Sequence, residues 1–301
     1  MNSFRNIIKK SVTGAYRSLL TKSVQERLGY PKKTKLLIIH ADDLGLCKTE
    51  NNATIKALEK GMVNSSSIMV PCRGFKEAAE WGRNHPETDL GLHLTLTSEW
   101  NAYKWGPVLP ADEVKTLVSD VGFFLPDKAG MVKKASDHDI EKEARSQIRA
   151  ILDAGLDLTH IDSHMFVAFA PRVMDIYRKL GKEFRVPVML TGDIPVKHLF
   201  SKEIITLEKL YYAKVQDFNT GLDKFYSNVL NSIKPGLNCI LIHVAFDNEE
   251  MKEFTGTTTG FGSAWRQADF DFFTSDECRK LLDENNIRLI TWREVRNKLL
   301  R

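Results

Sequence analysis

The sequence has few cysteines and no long hydrophobic run, and both absences exclude classes of protein. Its 301 residues include four cysteines that lie far apart, so the chain is not a disulfide scaffold and has no paired-cysteine zinc or redox motif. No apolar stretch approaches the ~18 residues of a membrane span, which excludes a transmembrane segment. With 43% hydrophobic and 27% charged residues, the composition predicts a globular protein rather than a disordered or collagen-like chain.

The chain also lacks an even spread of positive charge. Residues 1–35 contain nine Lys or Arg and one acidic residue, whereas the rest of the chain contains 34 basic and 38 acidic residues. The net charge of +4 therefore reflects a basic tail on a mildly acidic body. Proteins that bind nucleic acid usually carry positive charge on the folded domain itself, so no nucleic-acid partner is expected.

The basic tail has the pattern of an amphipathic helix. Apolar and basic residues follow each other at helical spacing from Phe4 to Leu20. Such a helix could contact an anionic membrane surface through residues 1–25, act as a targeting segment, or pack on the body. It lacks the apolar core of a secretory signal, which favours a cytoplasmic location. We therefore expect an extension over residues 1–35 and one catalytic domain over residues 36–301.

From residue 36 onward, short apolar runs alternate with helical patterns. The predicted strands are Leu36–Ala41, Ser66–Val70, Leu90–Leu96, Leu158–Ile161, Val186–Leu190, Cys239–Val244 and Ile287–Thr291. The predicted helices are Asn51–Lys60, Phe75–Arg83, Asp139–Ala154, Arg172–Gly181, a region around 202–232, Asp276–Glu284 and a terminal helix.

This alternation predicts an α/β fold. Strands that are apolar on both faces and alternate with helices form a parallel sheet covered by helices. Six to eight such units in about 266 residues predict an irregular, TIM-like (β/α) barrel that forms a single catalytic domain. A doubly wound open sheet is the alternative, but no G-x-G-x-x-G motif follows the first strand.

Side chains that can bind a metal lie at or just past the carboxyl ends of four predicted strands. They are Asp42 and Asp43, His93, the group His160-x-Asp162-x-His164, and His243. The carboxyl ends of parallel barrel strands form one rim, so residues about 200 positions apart can meet there. The other histidines, His40, His85, His138 and His198, lack such company and are expected to be structural or exposed.

Each of these features has a structural alternative. Asp42 and Asp43 could form a turn that caps the next helix, and a lone His93 or His243 is more often a packed histidine with a satisfied ring. Taken together, however, a carboxylate and two imidazoles can hold a divalent cation in an open site. Such a cation lowers the pKa of a bound water and polarises a carbonyl oxygen, while a second carboxylate can act as a general base. The ligand triad of iron oxygenases competes with this interpretation, but those enzymes are all-β proteins.

The motifs resemble those of the YdjC-like carbohydrate deacetylases, a family that includes chitooligosaccharide deacetylases and hopanoid-biosynthesis deacetylases. The stretches that carry the resemblance are Leu37–Gly45, Asn51 with Asn52, Gly61–Ser66, Asp89–Thr97 and Thr159–His164. Family members usually carry further histidines where this chain has Met165-Phe166-Val167, and Pro-Gly where it has Val244-Ala245. The resemblance implies an irregular (β/α) barrel related to polysaccharide deacetylases.

The resemblance also implies a function and roles for the site residues. The protein would be a metal-dependent hydrolase that removes an N-acetyl group from a carbohydrate or glycolipid. Asp43, His93 and His164 would bind one divalent cation, Mg²⁺ or Zn²⁺, with His160 and Asp162 behind them. Asp42 would be the base that activates the attacking water, and His243 would be the acid that protonates the departing amine.

Other functions and other site residues stay open at this point. A metal-dependent phosphoesterase, a barrel isomerase and a non-catalytic glycan-binding barrel are the alternative functions. Glu99 and Trp105 lie in the long connection after His93, where aromatic rings could stack on a sugar or anchor the loop. Arg266 could reach a carboxylate or phosphate of the substrate. The sequence does not decide the oligomeric state, and a homodimer is one option.

Overall fold

The structure is a computed structural model that describes residues 22–191, 205–256, 258 and 260–301. Within these ranges the strands are β1 (Lys35–Leu44), β2 (Ser65–Ile68), β3 (Leu90–Leu94), β4 (Ile161–Ser163), β5 (Lys209–Tyr211), β6 (Gly236–Ile242) and β7 (Ile287–Leu289). The helices are α1 (Val24–Arg27), α2 (Lys48–Glu59), α3 (Phe75–Asn84), α4 (Lys128–Lys134), α5 (Asp137–Asp153), α6 (Pro171–Phe184), α7 (Val215–Thr220), α8 (Leu222–Ser232), α9 (Glu249–Thr255), α10 (Ser263–Phe273), α11 (Asp276–Glu284) and α12 (Trp292–Leu299). Within the same ranges, 3-10 turns cover Ala111–Glu113 and parts of His164–Phe169, which is interrupted by left-handed backbone at Met165 and Phe166.

The strands form one parallel sheet in the order β4-β3-β2-β1-β6-β5. One edge of β1 has two partners. Its first residues, from Lys35 to Leu37, pair with β7, and its last residues, from His40 to Leu44, pair with β2. Single parallel bridges join Ile161 to Val188 and Thr191 to Leu207, so the segment 186–191 links β4 to the chain that enters β5. The sheet therefore curls into an irregular barrel, as the strand and helix pattern predicts.

Successive side chains of β1 point alternately into the barrel and outward to the helices that cover it. Leu36 and Ile38 pack with alternate residues of β6, such as Cys239, in one cluster. Leu37 and Ile39 pack with residues of α2, α8, α10 and α11 in another cluster. Because side chains alternate between the two faces of a strand, His40 continues the face of Leu36 and Ile38 toward the barrel interior.

Most predicted elements are present, and the differences have local causes. The predicted strand Val186–Leu190 makes single bridges instead of a continuous ladder. The fourth strand, β4, lies later than predicted, which puts Asp162 inside the strand. The region around 202–232, predicted to be helical, contains β5 before α7 and α8 begin. A strand of only three residues, Lys209–Tyr211, gives no alternation long enough to distinguish it from a helix.

The residues before β1 are described only in part. The predicted amphipathic helix of the tail lies largely in residues 1–21, outside the described residues. The described part includes α1 and Leu28, which is buried in the cluster that also contains Trp292. None of the helices within the described ranges has the length and hydrophobicity that a membrane span requires.

Candidate active site

The end of β1 is bulged at its two adjacent carboxylates. Ala41 pairs with Ser66 and Leu44 with Ile68, so three steps along β1 match two steps along β2. The extra residue is accommodated by Asp43, whose φ of 67° lies in the left-handed region. In a regular strand, adjacent side chains point to opposite faces. The bulge turns both carboxylates toward the same histidine: Asp43 Oδ1 lies 3.3 Å and Asp42 Oδ2 lies 3.9 Å from His93 Nε2.

The three predicted metal ligands converge at the rim of the barrel. The Oδ1 atom of Asp43 lies 3.3 Å from His93 Nε2 and 3.4 Å from His164 Nδ1. The two ring nitrogens are themselves 3.3 Å apart, and all three side chains are buried. Asp43 Oδ1 has no hydrogen-bond partner among the described residues. A buried carboxylate oxygen without a partner, facing two imidazole nitrogens, fits a divalent cation.

The second polar atom of each of these three side chains is held by a neighbour. His93 Nδ1 lies 2.9 Å from Asp162 Oδ1, and His164 Nε2 lies 2.9 Å from Glu99 Oε2. Arg266 donates to the other oxygen of Asp43 at 2.9 Å. Such outer partners fix the orientation of metal ligands and determine which atom faces the ion.

Electrostatics agree with an ionised Asp43. Burial alone would raise the pKa of this carboxyl. The charge of Arg266 and the contacts with His164 and His93 outweigh burial and hold the pKa well below its usual range. Asp43 is therefore a carboxylate at neutral pH, the form that binds cations.

Two other groups of side chains come close enough to hold an ion, but both depend on Asp162, whose two oxygens are already engaged in hydrogen bonds. These groups are His40, His160 and Asp162, and Asp42, His93 and Asp162. Asp162 Oδ2 lies 2.7 Å from His40 Nε2, and its Oδ1 lies 2.9 Å from His93 Nδ1. Hydrogen bonds thus occupy the lone pairs of Asp162, in contrast to the free oxygen of Asp43.

The predicted base, Asp42, lies beside this group, and its two carboxylate oxygens face different histidines. Its Oδ1 is 3.2 Å from His40 Nε2, and its Oδ2 is 3.8 Å from His243 Nε2. Burial, helped by the charge of Asp162, raises the pKa of Asp42 to about 6. Asp42 is therefore still ionised at pH 7 and has more proton affinity than an exposed aspartate, as a general base requires.

The predicted acid, His243, follows β6 and faces Asp42. Its backbone N–H donates to Asp269 Oδ2 at 3.0 Å, and its ring packs edge-to-face on Phe261 at 4.8 Å. Burial lowers the pKa of His243 to about 3, so the ring is neutral at pH 7.

The structure corrects the prediction that His40 lies apart from the other polar side chains of the site. His40 is completely buried, and its Nδ1 lies 2.9 Å from Ser65 Oγ while its Nε2 contacts both Asp42 and Asp162. Ser67 also belongs to this network and was not predicted: its hydroxyl donates to Asp162 Oδ2 at 2.7 Å. The available signal was alternation along β1, which puts His40 and Asp42 on one face.

His160 lies behind the network rather than next to the three converging side chains. Its ring stacks on Trp292 at 5.5 Å and meets the edge of His40 at 5.0 Å. Its Nδ1 lies 2.8 Å from Thr159 Oγ1. Gly91 leaves the space for this ring, because a Cβ there would come within 2.4 Å of it. Of the other histidines, His85 and His138 make surface contacts, and His198 lies outside the described residues.

The side chains predicted to bind substrate are engaged within the protein. Trp105 is buried and donates from Nε1 to the carbonyl of Thr97 at 2.8 Å, which favours the loop-anchoring alternative. Arg266 is also buried, and besides Asp43 it donates to Glu50 Oε2 at 2.9 Å. This arrangement favours a role of Arg266 in holding Asp43. Glu50, which is completely buried in α2, was not predicted because no strand end marks it.

A cavity of about 730 Å³ opens onto these residues. Its buried end is lined by Asp42, Asp43, His93, His164 and His243, and the rest of its lining is mainly apolar, including the exposed Met165 and Tyr212 with Trp100, Phe166 and the buried Phe254. A cavity of this size can hold a small-molecule ligand.

Comparison with known proteins identifies the family. Residues 36–284 match the family model described as YdjC-like protein. The chain is 30% identical over 262 residues to the carbohydrate deacetylase of Brevibacillus brevis, covering 86% of this chain and 99% of the relative. It is 30% identical over 288 residues to the carbohydrate deacetylase of Thermus thermophilus, covering 91% and 98%.

The fold has a solved counterpart as well. The crystal structure of an Enterococcus faecalis V583 protein, provisionally named a cellobiose-phosphate cleavage protein, superimposes with a TM-score of 0.72 at 23% identity. The match covers 86% of this chain and 98% of the other. This likeness confirms the barrel architecture. On the family match and the two relatives, the chain belongs to the YdjC-like family.

Proposed function

We propose that this protein is a metal-dependent hydrolase that removes the N-acetyl group of an N-acetylated sugar. The relatives named carbohydrate deacetylase support the reaction class. The observation that carries the proposal is the convergence of Asp43 Oδ1, His93 Nε2 and His164 Nδ1 at the buried end of the cavity.

In this proposal, Asp43, His93 and His164 hold one divalent cation. Two imidazole nitrogens and one carboxylate oxygen favour Zn²⁺, and Mg²⁺ is the other candidate. When bound, the cation lowers the pKa of a water and polarises the acetamide carbonyl. Asp162, Glu99 and Arg266 keep the three ligand atoms directed at it.

Asp42 is the base that takes a proton from the attacking water. Its Oδ1 lies 3.2 Å from His40 Nε2 without a hydrogen bond, and its Oδ2 faces His93 and His243. His243 is the acid. The proton that Asp42 accepts reaches the departing amine nitrogen by way of His243, once Asp42 Oδ2 and His243 Nε2, now 3.8 Å apart, close to hydrogen-bond distance. The carboxylate and the neutral ring are restored at the end of the cycle.

The cavity argues against the phosphoesterase alternative. Among the described residues that line it, Arg266 is the one cationic side chain, and both of its terminal nitrogens already bind carboxylates. A phosphate group would find no free cationic side chain among these residues, so only a bound cation could offset its charge there.

The test is to measure metal content and acetate release together. Purified protein is stripped of metal, reloaded with Zn²⁺ or Mg²⁺ and assayed on N-acetylglucosamine oligomers for acetate, and in parallel on phosphorylated sugars for phosphate. We expect one ion per chain and acetate release that depends on it. Acetate release that is unaffected by metal removal, or phosphate release alone, would refute the proposal.

A further inference from the structure

His40 is a buried histidine that contacts two carboxylates and takes no part in lining the cavity. Its side chain is completely buried, and it is not among the described residues that form the cavity wall. Its Nε2 atom lies 2.7 Å from Asp162 Oδ2 and 3.2 Å from Asp42 Oδ1. The proposed chemistry uses Asp42 as the base and Asp162 as the partner of His93, and it leaves His40 without a role.

The two carboxylates beside His40 bring two negative charges into a buried space. The side chains of Asp42 and Asp162 are only 6% and 2% exposed. Burial raises the pKa of Asp42 and the charge of Asp162 raises it further, so the two carboxylates repel each other. Buried charges of one sign are costly without a cation beside them. His40 is in place to supply that cation, because one of its nitrogens faces both carboxylates.

Hydrogen-bond geometry places a proton on Nε2 of His40. Burial would raise the pKa of Asp162, but the charge of His93 and the contact with His40 hold it well below its usual range, so Asp162 is a carboxylate. Ser67 already donates its hydroxyl proton to Asp162 Oδ2. A ring nitrogen that lies 2.7 Å from the same carboxylate oxygen must also donate to it. Nε2 of His40 is therefore protonated.

The other ring nitrogen of His40 faces an acceptor as well. Its Nδ1 lies 2.9 Å from the hydroxyl of Ser65. Burial raises the pKa of Asp89, and the hydroxyl of Ser65 is among the groups that oppose this rise, which indicates that the hydroxyl is directed at the Asp89 carboxyl. A hydroxyl that donates to Asp89 keeps lone pairs that can accept a proton from His40 Nδ1. Both ring nitrogens of His40 can therefore donate at the same time.

Two other titratable groups near His40 are uncharged at neutral pH. The ring of His160 meets the edge of His40 at 5.0 Å, and burial holds the pKa of His160 well below its usual range. Burial raises the pKa of the Cys239 thiol on β6. For His40 itself, burial would lower the pKa, but the contacts with Asp162 and Asp42 outweigh burial and raise the pKa to about 9. The surroundings thus favour a cationic ring at this position.

We propose that His40 is a positioning residue whose doubly protonated ring is the counter-charge that holds the carboxylates of Asp42 and Asp162 in place. This inference rests on the proposed function, because the position of Asp42 affects turnover only if Asp42 is the base. The positive charge attracts Asp42 Oδ1, while Oδ2 faces His93 and His243. Since His40 does not line the cavity, it acts through Asp42 and not by contact with the substrate.

The charge of His40 can be observed without an activity assay. The Zn²⁺-loaded protein is labelled with ¹⁵N-histidine, and long-range ¹H–¹⁵N correlation spectra at pH 8 show which nitrogens of each ring carry a proton. A histidine of ordinary pKa is neutral at that pH, and the proposed ligands His93 and His164 each bind Zn²⁺ through one nitrogen. We expect one ring that is protonated on both nitrogens, and this signal should be missing from the spectrum of His40→Gln protein.

Kinetic measurements on the same variant connect the charge to turnover. His40→Gln keeps a neutral donor near the position of Nε2, so it removes the charge and retains a hydrogen-bond donor for Asp162. At saturating Zn²⁺ we expect kcat for acetate release from N-acetylglucosamine oligomers to fall about 10²-fold. KM should stay within about twofold, because no contact with the substrate is lost. His138→Gln is the matched control, since His138 also lies beside an aspartate but is 79% exposed, and this variant should keep the wild-type kcat.

The outcomes distinguish this inference from the proposed function. If the wild-type spectrum contains no doubly protonated ring at pH 8, the inference is overturned and the hydrolase is unaffected; this result decides even if His40→Gln does not fold. A doubly protonated ring that persists in His40→Gln, an unchanged kcat, or a kcat loss accompanied by loss of bound Zn²⁺ also overturns the inference. A protonated His40 in a protein that releases no acetate supports the counter-charge and overturns the hydrolase.

Discussion

The two ends of the cavity are constructed on different principles. At the buried end, Asp43, His93 and His164 each have a second atom held by a neighbour, so the three remaining atoms have almost no freedom to move. At the open end, side chains pack by apolar contact, and Met165 keeps nearly half of its surface exposed. The difference suggests that a fixed polar end carries the chemistry and an adaptable apolar end selects the substrate.

The largest effects should follow from breaking the buried end itself. Replacing Asp43 or His164 with Ala removes one of three ligands, so metal content should fall below about 0.1 ion per chain and acetate release by about 10⁴-fold or more. Metal analysis after dialysis and an acetate assay measure both effects. A variant that keeps one tightly bound ion would show that the residue is not a ligand.

Asp42→Asn should separate metal binding from catalysis. The amide keeps the shape of the side chain but cannot accept a proton, so kcat should fall about 10²–10⁴-fold while metal content is retained. In the wild type, kcat should decline as the pH falls through the pKa of Asp42, which burial raises and a neighbouring cation lowers, because the base is then protonated. Full activity of the variant, or loss of its metal, contradicts the assignment of Asp42 as base.

The outer partners should have smaller, graded effects on metal affinity. Asp162→Asn removes the charge behind His93, and Arg266→Gln frees Asp43 Oδ2. Each should weaken Zn²⁺ binding about 10–100-fold in competition with a chelator. Asp175→Asn is the control for the aspartate, since Asp175 is largely exposed on α6 and should leave the affinity unchanged. Unchanged affinity in both test variants would show that the metal ligands keep their orientation without these outer partners.

The smallest effects concern stability and should have opposite signs at the two ends. Gly91→Ala places a Cβ 2.4 Å from the His160 ring, so the free energy of unfolding should fall by about 1–3 kcal/mol. Met165→Gly relieves a left-handed residue and should raise the free energy of unfolding by up to about 1 kcal/mol. Urea titration of both variants provides the measurement. A stabilised Gly91→Ala would show that the buried end adapts more easily than its packing indicates.

The convergence of the site could be predicted from sequence because its principal residues follow strands. The carboxyl ends of parallel strands meet at one rim, which brings Asp43, His93 and His164 together whatever their separation along the chain. The bulge that turns Asp42 and Asp43 to one side was not predictable, because the alternation of side chains along a strand gives no sign of an extra residue.

The parts that sequence reasoning missed come from helices and from inside the barrel. Glu50 on α2 was missed, and Arg266 on α10 was predicted to reach the substrate rather than Asp43, because a charged residue on a helix resembles any solvated position until the fold buries it. His40 looked isolated because its partners are on neighbouring strands: Ser65 lies opposite it on β2, and Asp162 belongs to β4. Such contacts depend on the register between neighbouring strands, which the hydrophobic pattern of fully buried strands does not specify.

The most direct test of the account is a crystal structure of the Zn²⁺-loaded protein with anomalous data at the zinc edge. We expect a single strong peak bound by Asp43 Oδ1, His93 Nε2 and His164 Nδ1, with Asp42 beside it and not among the close ligands. A peak held instead by His40, His160 and Asp162, or no peak at the rim of the barrel, would contradict the central claim.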